Sequence, residues 1–275
     1  MTTPTERANQ MIWCLARQAR PDDVMVVGVA TPIATAAALV ARELVTPEAT
    51  VIVAASVDPP AHDIAQPMLR ADAVAEISAG TYPQTGILDA IQAGRVSMQF
   101  ISPAQVDGRG RLNTSRVPAR DGGIRRLPGG LATGDIAVLV GRLVAYRADH
   151  SPRFLADEVT FTTGAGHEHG PHWRARHGLP GQGVRSIVTD RAVLVWDDAQ
   201  DGFQVSSVHG GSSIDEVIEG CGFPLTVEND PHVTPEPPEE MRQLLDEVID
   251  PHGVRTLELG DGREEALQVL EALRH

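Results

Sequence analysis

Residues 23–56 read "DVMVVGVATPIATAAALVARELVTPEATVIVAAS". The first eight, "DVMVVGVA", form a continuous apolar run short enough for a buried parallel strand. Pro32 then opens "PIATAAALVAREL", an alanine-rich helical stretch with proline in its first turn. "ATVIVAAS" (49–56) is a second apolar strand. Strand, helix and strand within about thirty-five residues make a βαβ unit, whose crossover is expected to be right-handed.

On the N-terminal side, residues 5–19 place Met11, Ile12, Leu15 and Ala16 at helical spacing, and Pro21 ends the run. On the C-terminal side, "TGILDAIQAG" and "VSMQFIS" add a helix and a strand, so the first part of the chain reads as doubly wound. Residues 108–134, "GRGRLNTSRVPARDGGIRRLPGGLATG", change character: glycine and arginine dominate and periodicity fades. A long functional or interface loop is expected there. "IAVLVGRLVAYR", "EVTFTT", "VRSIVTD", "RAVLVWDD" and "FQVSSVHGG" read as strands, and alternation in the last three predicts partly exposed or antiparallel pairing. "SSIDEVIEG" starts a helix with Ser213 and Glu216 in capping-box register. "PPEEMRQLLDEVID" is a further helix with its acids at the N-terminal end.

The composition sets limits on function. With 275 residues, 42% hydrophobic and 22% charged, the chain can bury a sizeable core. Its net charge of −14 argues against nucleic acid, which demands a basic stripe. All 23 basic residues are arginine, so a lysine Schiff base and a Walker A lysine are excluded. Cys14 and Cys221 are too few and too far apart for a disulfide framework or a zinc ribbon. No basic region followed by an apolar run opens the sequence, and no apolar stretch is long enough to span a bilayer, so a cytoplasmic location is expected.

The usual catalytic signatures are absent. "GVATPIATAA" lacks the three glycines of a dinucleotide fingerprint, and no G-x-S-x-G elbow occurs. "TTGAGHEHGPHWRARHGLPG" (162–181) holds His167, His169, His172 and His177, a metal site by count alone, since H-E-x-x-H is missing and no outside partners are evident. A solvated or ligand-facing loop is the simpler reading, and no metal is expected. Gln105 and Asp107 follow a strand at its carboxyl end, where open α/β sheets bind ligands, and Asn113 lies past two glycines. A polar turn with local backbone hydrogen bonds is the alternative for these residues. Gly129 and Gly130 form a second glycine loop that either offers backbone N–H groups or merely turns the chain.

In order, "ISPAQVDGRGRLNTS", "LPGGLATGDIAVLVGR", "RFLADEVTFTTGAGH", "VTDRAVLVWD", "SVHGGSSIDEVIEGCGFPLTV" and "LLDEVIDPHG" resemble the β subunits of heteromeric family I CoA-transferases, the glutaconate and 3-oxoacid type. The resemblance runs from about residue 8 to about residue 253, and rests on six motifs in order rather than on any one. It implies an α/β fold, an open and mostly parallel sheet flanked by helices, as a single domain over 1–275 with residues 255–275 as a C-terminal helical extension. It also implies an α-subunit partner in a heterodimer or heterotetramer, an active site between the two, and coenzyme A as a substrate thioester with no bound cofactor. In such transferases a β-subunit glutamate in a Glu-x-Gly context ends the second strand and attacks the acyl-CoA, while N–H donors hold the oxyanion.

Two departures follow. The glutamate position corresponds to about Ala54, then Ala55 and Ser56, and Asp58 is the nearest carboxylate. After Gly129 and Gly130 come Leu131, Ala132 and Thr133 instead of a glycine run. Both are similar to the β-like subunits of steroid-ring-opening CoA hydrolases, where the working glutamate belongs to the α-like partner. The resemblance therefore implies CoA transfer or hydrolysis in acyl-CoA metabolism, steroid or fatty-acid catabolism included. Gln105, Asp107, Asn113, Gly129 and Gly130 are expected at the CoA or acyl site, and no catalytic residue is expected on this chain. Among the histidines, only His167 has a counterpart in the resemblance, and the other three are expected to be solvated. A non-catalytic CoA-binding or scaffold subunit is the alternative, and a metal-dependent hydrolase built on the histidines a third reading.

Overall fold

The computed structural model describes all residues except Met1, Val29, Ala71, Gln84, Arg120, Glu168, His169, Pro171, His172, Glu228, Asn229, Asp230 and His275. By its own contacts the chain divides into two units, Met1–Ala90 with Val96–Phe100 and Pro235–His275, and Ile91–Arg95 with Ile101–Thr234.

The first unit contains the βαβ element. Helix α1 (Pro4–Ala16) begins with a capping box, Thr3 and Glu6 each bonding the other's backbone N–H. Strands β1 (Val24–Val27) and β2 (Thr50–Val53) are parallel, in register from Val24 opposite Thr50 to Val27 opposite Val53. Helix α2 (Pro32–Val40) connects them, and every one of its residues is buried. Such a helix must be apolar all round; its alanines let α1 and the 3₁₀ turn Val254–Glu258 pack closely on it. β3 (Ser56–Val57), β4 (Gly80–Thr81) and β5 (Met98–Ile101) complete the order β5-β1-β2-β3-β4, parallel in the first three and antiparallel beyond.

Residues 255–275, expected as an extension, belong to this unit. They contain the end of the 3₁₀ turn and the helix Arg263–Leu273. The carboxylate of Glu258 accepts the Ile33 N–H at 2.9 Å. Thr31 makes no side-chain cap, so the positive end of α2 is met by the C-terminal segment itself.

β2 turns into β3 through a two-residue loop, since Val53 pairs with Ser56. The loop is Ala54-Ala55, and both residues have positive φ, 49° and 71°. Two-residue hairpins favour this geometry, but they normally use Asn-Gly, because a Cβ in the left-handed region costs about 1–2 kcal/mol. Replacing Ala54-Ala55 with Asn-Gly is expected to raise the thermal midpoint by roughly 2–6 °C, converting about 1–2 kcal/mol at the usual rate for a chain of this size. A calorimetric scan of the double variant tests this; an unchanged or lower midpoint refutes the strain.

The second unit begins with β6 (Gln105–Asp107), β7 (Leu112–Asn113), β8 (Arg116–Pro118) and β9 (Ile124–Arg126). β10 (Arg142–Arg147) runs parallel to β12 (Val184–Thr189), with β11 (Leu155–Ala156) between them in sequence. β12, β13 (Ala192–Asp197) and β14 (Gly202–Val208) form an antiparallel meander, the second of the two arrangements their alternation allowed, and β15 (His232–Val233) closes the edge. The strands of this unit's larger sheet are thus ordered β15-β14-β13-β12-β10. The helix Ile214–Glu219 has the Ser213–Glu216 capping box expected.

Two expected strands differ. "IAVLV" lies largely in the helix Thr133–Leu139, because the backbone bonds close locally, Ile136 N–H onto Ala132 and Val140 N–H onto Ile136. "EVTFTT" forms no strand, because side chains take its first N–H groups: Val159 donates to Asp107 and Thr160 to Gln105.

Candidate functional site

The expected polar residues converge in the second unit on a small sheet ordered β11-β6-β7. Gln105 pairs directly with Asn113 across β6 and β7, and their side chains meet, Asn113 Nδ2 donating to Gln105 Oε1 at 2.7 Å. Asn113 is fully buried; its Nδ2 also reaches the Arg116 carbonyl at 2.8 Å, and its Oδ1 accepts from the Ser115 N–H at 3.1 Å. Gln105 Oε1 further accepts the N–H and hydroxyl of Thr160, at 3.1 and 2.8 Å. Because that oxygen must face a backbone donor, the amide NH₂ of Gln105 is turned away from it and carries no hydrogen bond to the described residues.

Asp107 starts from the same strand and does something different. Its carboxylate is fully buried and accepts four N–H groups: Arg109 and Arg111 backbone at 3.0 and 3.1 Å, Arg111 Nε at 2.8 Å and Val159 backbone at 3.2 Å. It ties the 107–111 turn to the segment that would otherwise have been a strand.

The glycine loop lies against the same framework. Ser115 and Thr163 hydroxyls bond each other at 2.8 Å, and Thr163 Oγ1 also accepts the Thr114 N–H at 3.1 Å. A Cβ on Gly130 would come within 3.1 Å of Thr163 Cγ2 and 3.2 Å of Ser115 Oγ, so any larger residue would push these side chains aside by a few tenths of an ångström. Gly129 takes φ +132°, and the next side chain but one, Leu131, is fully exposed. Gln105, Asn113 and Gly130 are thus joined through Thr114, Ser115 and Thr163, whereas Asp107 serves the neighbouring turn. The hydroxyls are the members that sequence reasoning missed, since isolated Ser and Thr leave no spacing signal.

His167 packs on the Asp107 side. Its ring stacks on Trp196 with centroids 3.9 Å apart and planes 12° from parallel, and its Nε2 donates to the Val184 carbonyl at 3.1 Å. Burial pushes its imidazole down to about 4, so the ring is neutral and Nδ1 is unprotonated at physiological pH. It lines a cavity of about 510 Å³ with Trp173, Arg174, Gln182, Arg185 and Asp198. Arg174 is buried and donates to the carbonyls of Ala137, Gly181, Ala165 and Gly166. His177 is exposed, as expected, and His169 and His172 lie outside the described residues. Among the described residues no three metal-type ligands cluster, and no helix is long and apolar enough to cross a membrane.

In the first unit, the Ala54 position holds no carboxylate, and Asp58 does not replace one. Asp58 Oδ1 accepts the Val51 N–H at 2.8 Å and sits 3.6 Å from Arg42 Nη1, so it closes the base of the β2–β3 hairpin.

No protein-family profile matches the chain. It is 32% identical over 136 residues to the B-type subunit of 3-oxoadipate CoA-transferase from Pseudomonas knackmussii, covering 49% of this chain and 52% of that one. It is 28% identical over 153 residues to the B-type subunit of glutaconate CoA-transferase from Acidaminococcus fermentans, covering 55% and 56%. The matches to these two relatives span about half of their length. A third, the cholesterol ring-cleaving hydrolase IpdB subunit of Rhodococcus jostii, is 26% identical over 190 residues, covering 66% and 70%. Among solved structures, the decarboxylase AibA/AibB superposes with a TM-score of 0.75 at 25% identity, covering 94% of this chain and 99% of that one. Glutaconate coenzyme A-transferase from Acidaminococcus fermentans does so at 0.76 and 24% identity, covering 89% and 95%. The chain is therefore a relative of the B-type CoA-transferase subunits and carries their α/β fold.

Proposed function

We propose that this chain is the B-type subunit of a two-subunit enzyme that acts on an acyl-CoA thioester, with the reacting carboxylate supplied by an A-type partner. The observation that carries the reading is the β2–β3 turn. It keeps a strained two-residue hairpin at the position corresponding to the transferase glutamate, yet presents only the methyl groups of Ala54 and Ala55. Strain of this kind persists where the surrounding structure demands it. Asp58, the nearest acid, is committed to the hairpin's own backbone and to Arg42. This chain then offers shape and hydrogen-bond donors rather than a nucleophile.

Gln105 is the candidate contact, through its free amide NH₂, and the Gly129–Gly130 loop the candidate source of backbone N–H groups for a thioester oxyanion. Asn113 and Asp107 act as positioning residues, because their polar atoms are engaged by the Arg116 carbonyl, the 107–111 turn and Val159. Attack of the partner's carboxylate on the thioester carbonyl would form an acyl anhydride and expel CoA thiolate. Water cleaving the anhydride gives net hydrolysis, whereas return of the thiolate to the enzyme carboxyl releases the free acid and leaves CoA for a second carboxylate.

The test is co-expression with an A-type subunit, followed by assays of thiol release and of CoA exchange between an acyl-CoA and a free carboxylate. The expected result is activity from the pair and none from this chain alone. Gln105→Glu, which keeps the acceptor oxygen for Asn113 and Thr160 and removes the amide NH₂, is expected to lower kcat/KM by about tenfold or more. Activity that survives replacement of every carboxylate near the partner's site refutes the trans assignment. A pair that binds CoA but turns over no thioester favours the scaffold reading instead.

A further inference from the structure

The glycine- and arginine-rich stretch contains an element that the proposed site does not yet use. Residues 116–126 hold four arginines and one aspartate in a chain whose net charge is −14. They fold as the antiparallel ribbon β8–β9, with every residue of β9 exposed and Arg116 and Pro118 exposed on β8. Gly122 turns it at φ +82°, and the Leu127 N–H on the Ser115 carbonyl, at 2.9 Å, closes its base beside the Gly129–Gly130 loop.

The register places Arg116 directly opposite Arg126 and Pro118 opposite Ile124, all four on one face. Two guanidinium-bearing residues thus face each other with Cβ atoms about 5 Å apart, an arrangement that like-charge repulsion disfavours. Neither has a carboxylate partner among the described residues, although the chain has 37 acidic residues. Arg116 is held instead over the Phe161 ring, 4.1 Å from its centroid, which fixes the cation without neutralising it. A cross-strand pair of unneutralised arginines, one of them pre-oriented, is suited to bidentate capture of a dianionic oxyanion group. The Asn113 side chain donates to the Arg116 carbonyl at 2.8 Å, which fixes where the ribbon starts.

The geometry points to Arg116 and Arg126 as a phosphate clamp for the nucleotide end of a CoA thioester. This rests on the reading that the chain acts on acyl-CoA, and extends it by naming which group holds the phosphates. Free phosphate, the diphosphate bridge and the ribose 3′-phosphate share the required chemistry, so the ligand must be varied to separate them.

The experiment uses the full chain assembled with its A-type partner. Binding of CoA, dephospho-CoA, pantetheine and inorganic phosphate is measured by titration calorimetry for the wild type and for Arg116→Gln/Arg126→Gln. The clamp predicts that the double variant weakens CoA by about tenfold to a hundredfold and leaves pantetheine unchanged. It also predicts that the wild-type affinity for CoA falls between about 50 and 200 mM salt more steeply than the variant's, because exposed charges are screened. Weakening seen with CoA but not with dephospho-CoA assigns the 3′-phosphate; equal weakening of both assigns the diphosphate. Because removal of Arg126 relieves repulsion, the thermal midpoint of Arg126→Gln should hold or rise, which a purely structural arginine would not allow. Wild-type protein that binds CoA with a variant that binds it equally well overturns the clamp alone. Loss of the partner subunit with CoA affinity retained also overturns it, and marks the ribbon as a docking arm. Wild-type protein with no affinity for CoA overturns both the clamp and the acyl-CoA reading.

Discussion

Asp107→Asn is expected to destabilise the chain by about 2–4 kcal/mol, because it turns an amide NH₂ toward backbone donors that only an acceptor can satisfy. For a domain of this size that lowers the thermal midpoint by roughly 10 °C. The reason is geometric. All four bonds to the Asp107 carboxylate come from N–H donors, and an amide would turn its own NH₂ toward some of them. The two backbone donors of the 107–111 turn and that of Val159 have no water to turn to at a fully buried site. Arg111 would keep its contact with Glu158, at 3.2 Å on the surface, which contributes little. Thermal unfolding of the variant measures the loss. A midpoint within a degree or two of wild type, paired with a fall in kcat, would instead place Asp107 on the substrate.

The second large effect is a loss of stability on acidification. His150, His167 and His209 are buried, and burial pushes the imidazole of each down, to about 4 for His167 and His209. His209 is held between the Thr189 carbonyl at 3.0 Å and the Thr234 hydroxyl at 2.8 Å, and His150 between the Val217 carbonyl and the Thr189 hydroxyl. Each of these two is a neutral ring with both nitrogens engaged. In the unfolded chain the three rings titrate near 6.5. Between about pH 6.5 and 4 the unfolded state therefore binds protons that the native state refuses, and stability falls as pH drops. Above that window the contribution is whole. His167 and His209 each contribute about 3 kcal/mol across it, a large share of a typical folding free energy. Denaturant unfolding at a series of pH values reads the slope directly. In His209→Gln the slope between about pH 4.5 and 6 should lessen by one proton's worth, about 1.4 kcal/mol per pH unit. An undiminished slope would mean that His209 is already protonated in the fold.

Much of the fold was legible because its signals are local. The apolar runs at 23–30 and 49–56, with a proline-started alanine helix between them, fit a parallel βαβ unit, and β1 and β2 pair in that sense. Alternation along the residues of β12, β13 and β14 left partial exposure or antiparallel pairing open, and each of these strands pairs antiparallel with the next. The Ser213–Glu216 capping box is a three-residue signal, and it formed. "EVTFTT" failed for a reason no local window contains: Gln105 and Asp107, some fifty residues earlier, take the backbone donors a ladder would need.

Within the candidate site the division is similar. Residue type, order and resemblance singled out Gln105, Asp107, Asn113, Gly129, Gly130 and His167, and the absence of a carboxylate at Ala54 is a fact of sequence. Only the tertiary structure decided that Gln105 and Asn113 touch, that Asp107 serves the neighbouring turn, and that Ser115 and Thr163 hold the glycine loop close. Only it set Arg116 against Arg126, because a ribbon's register depends on where its turn falls and how its base closes. The sequence by itself determined which groups were available and which elements would form, since apolar periodicity and caps act over a few residues. Which polar groups meet was decided by burial, because a buried donor or acceptor must find its partner wherever the folded chain places one.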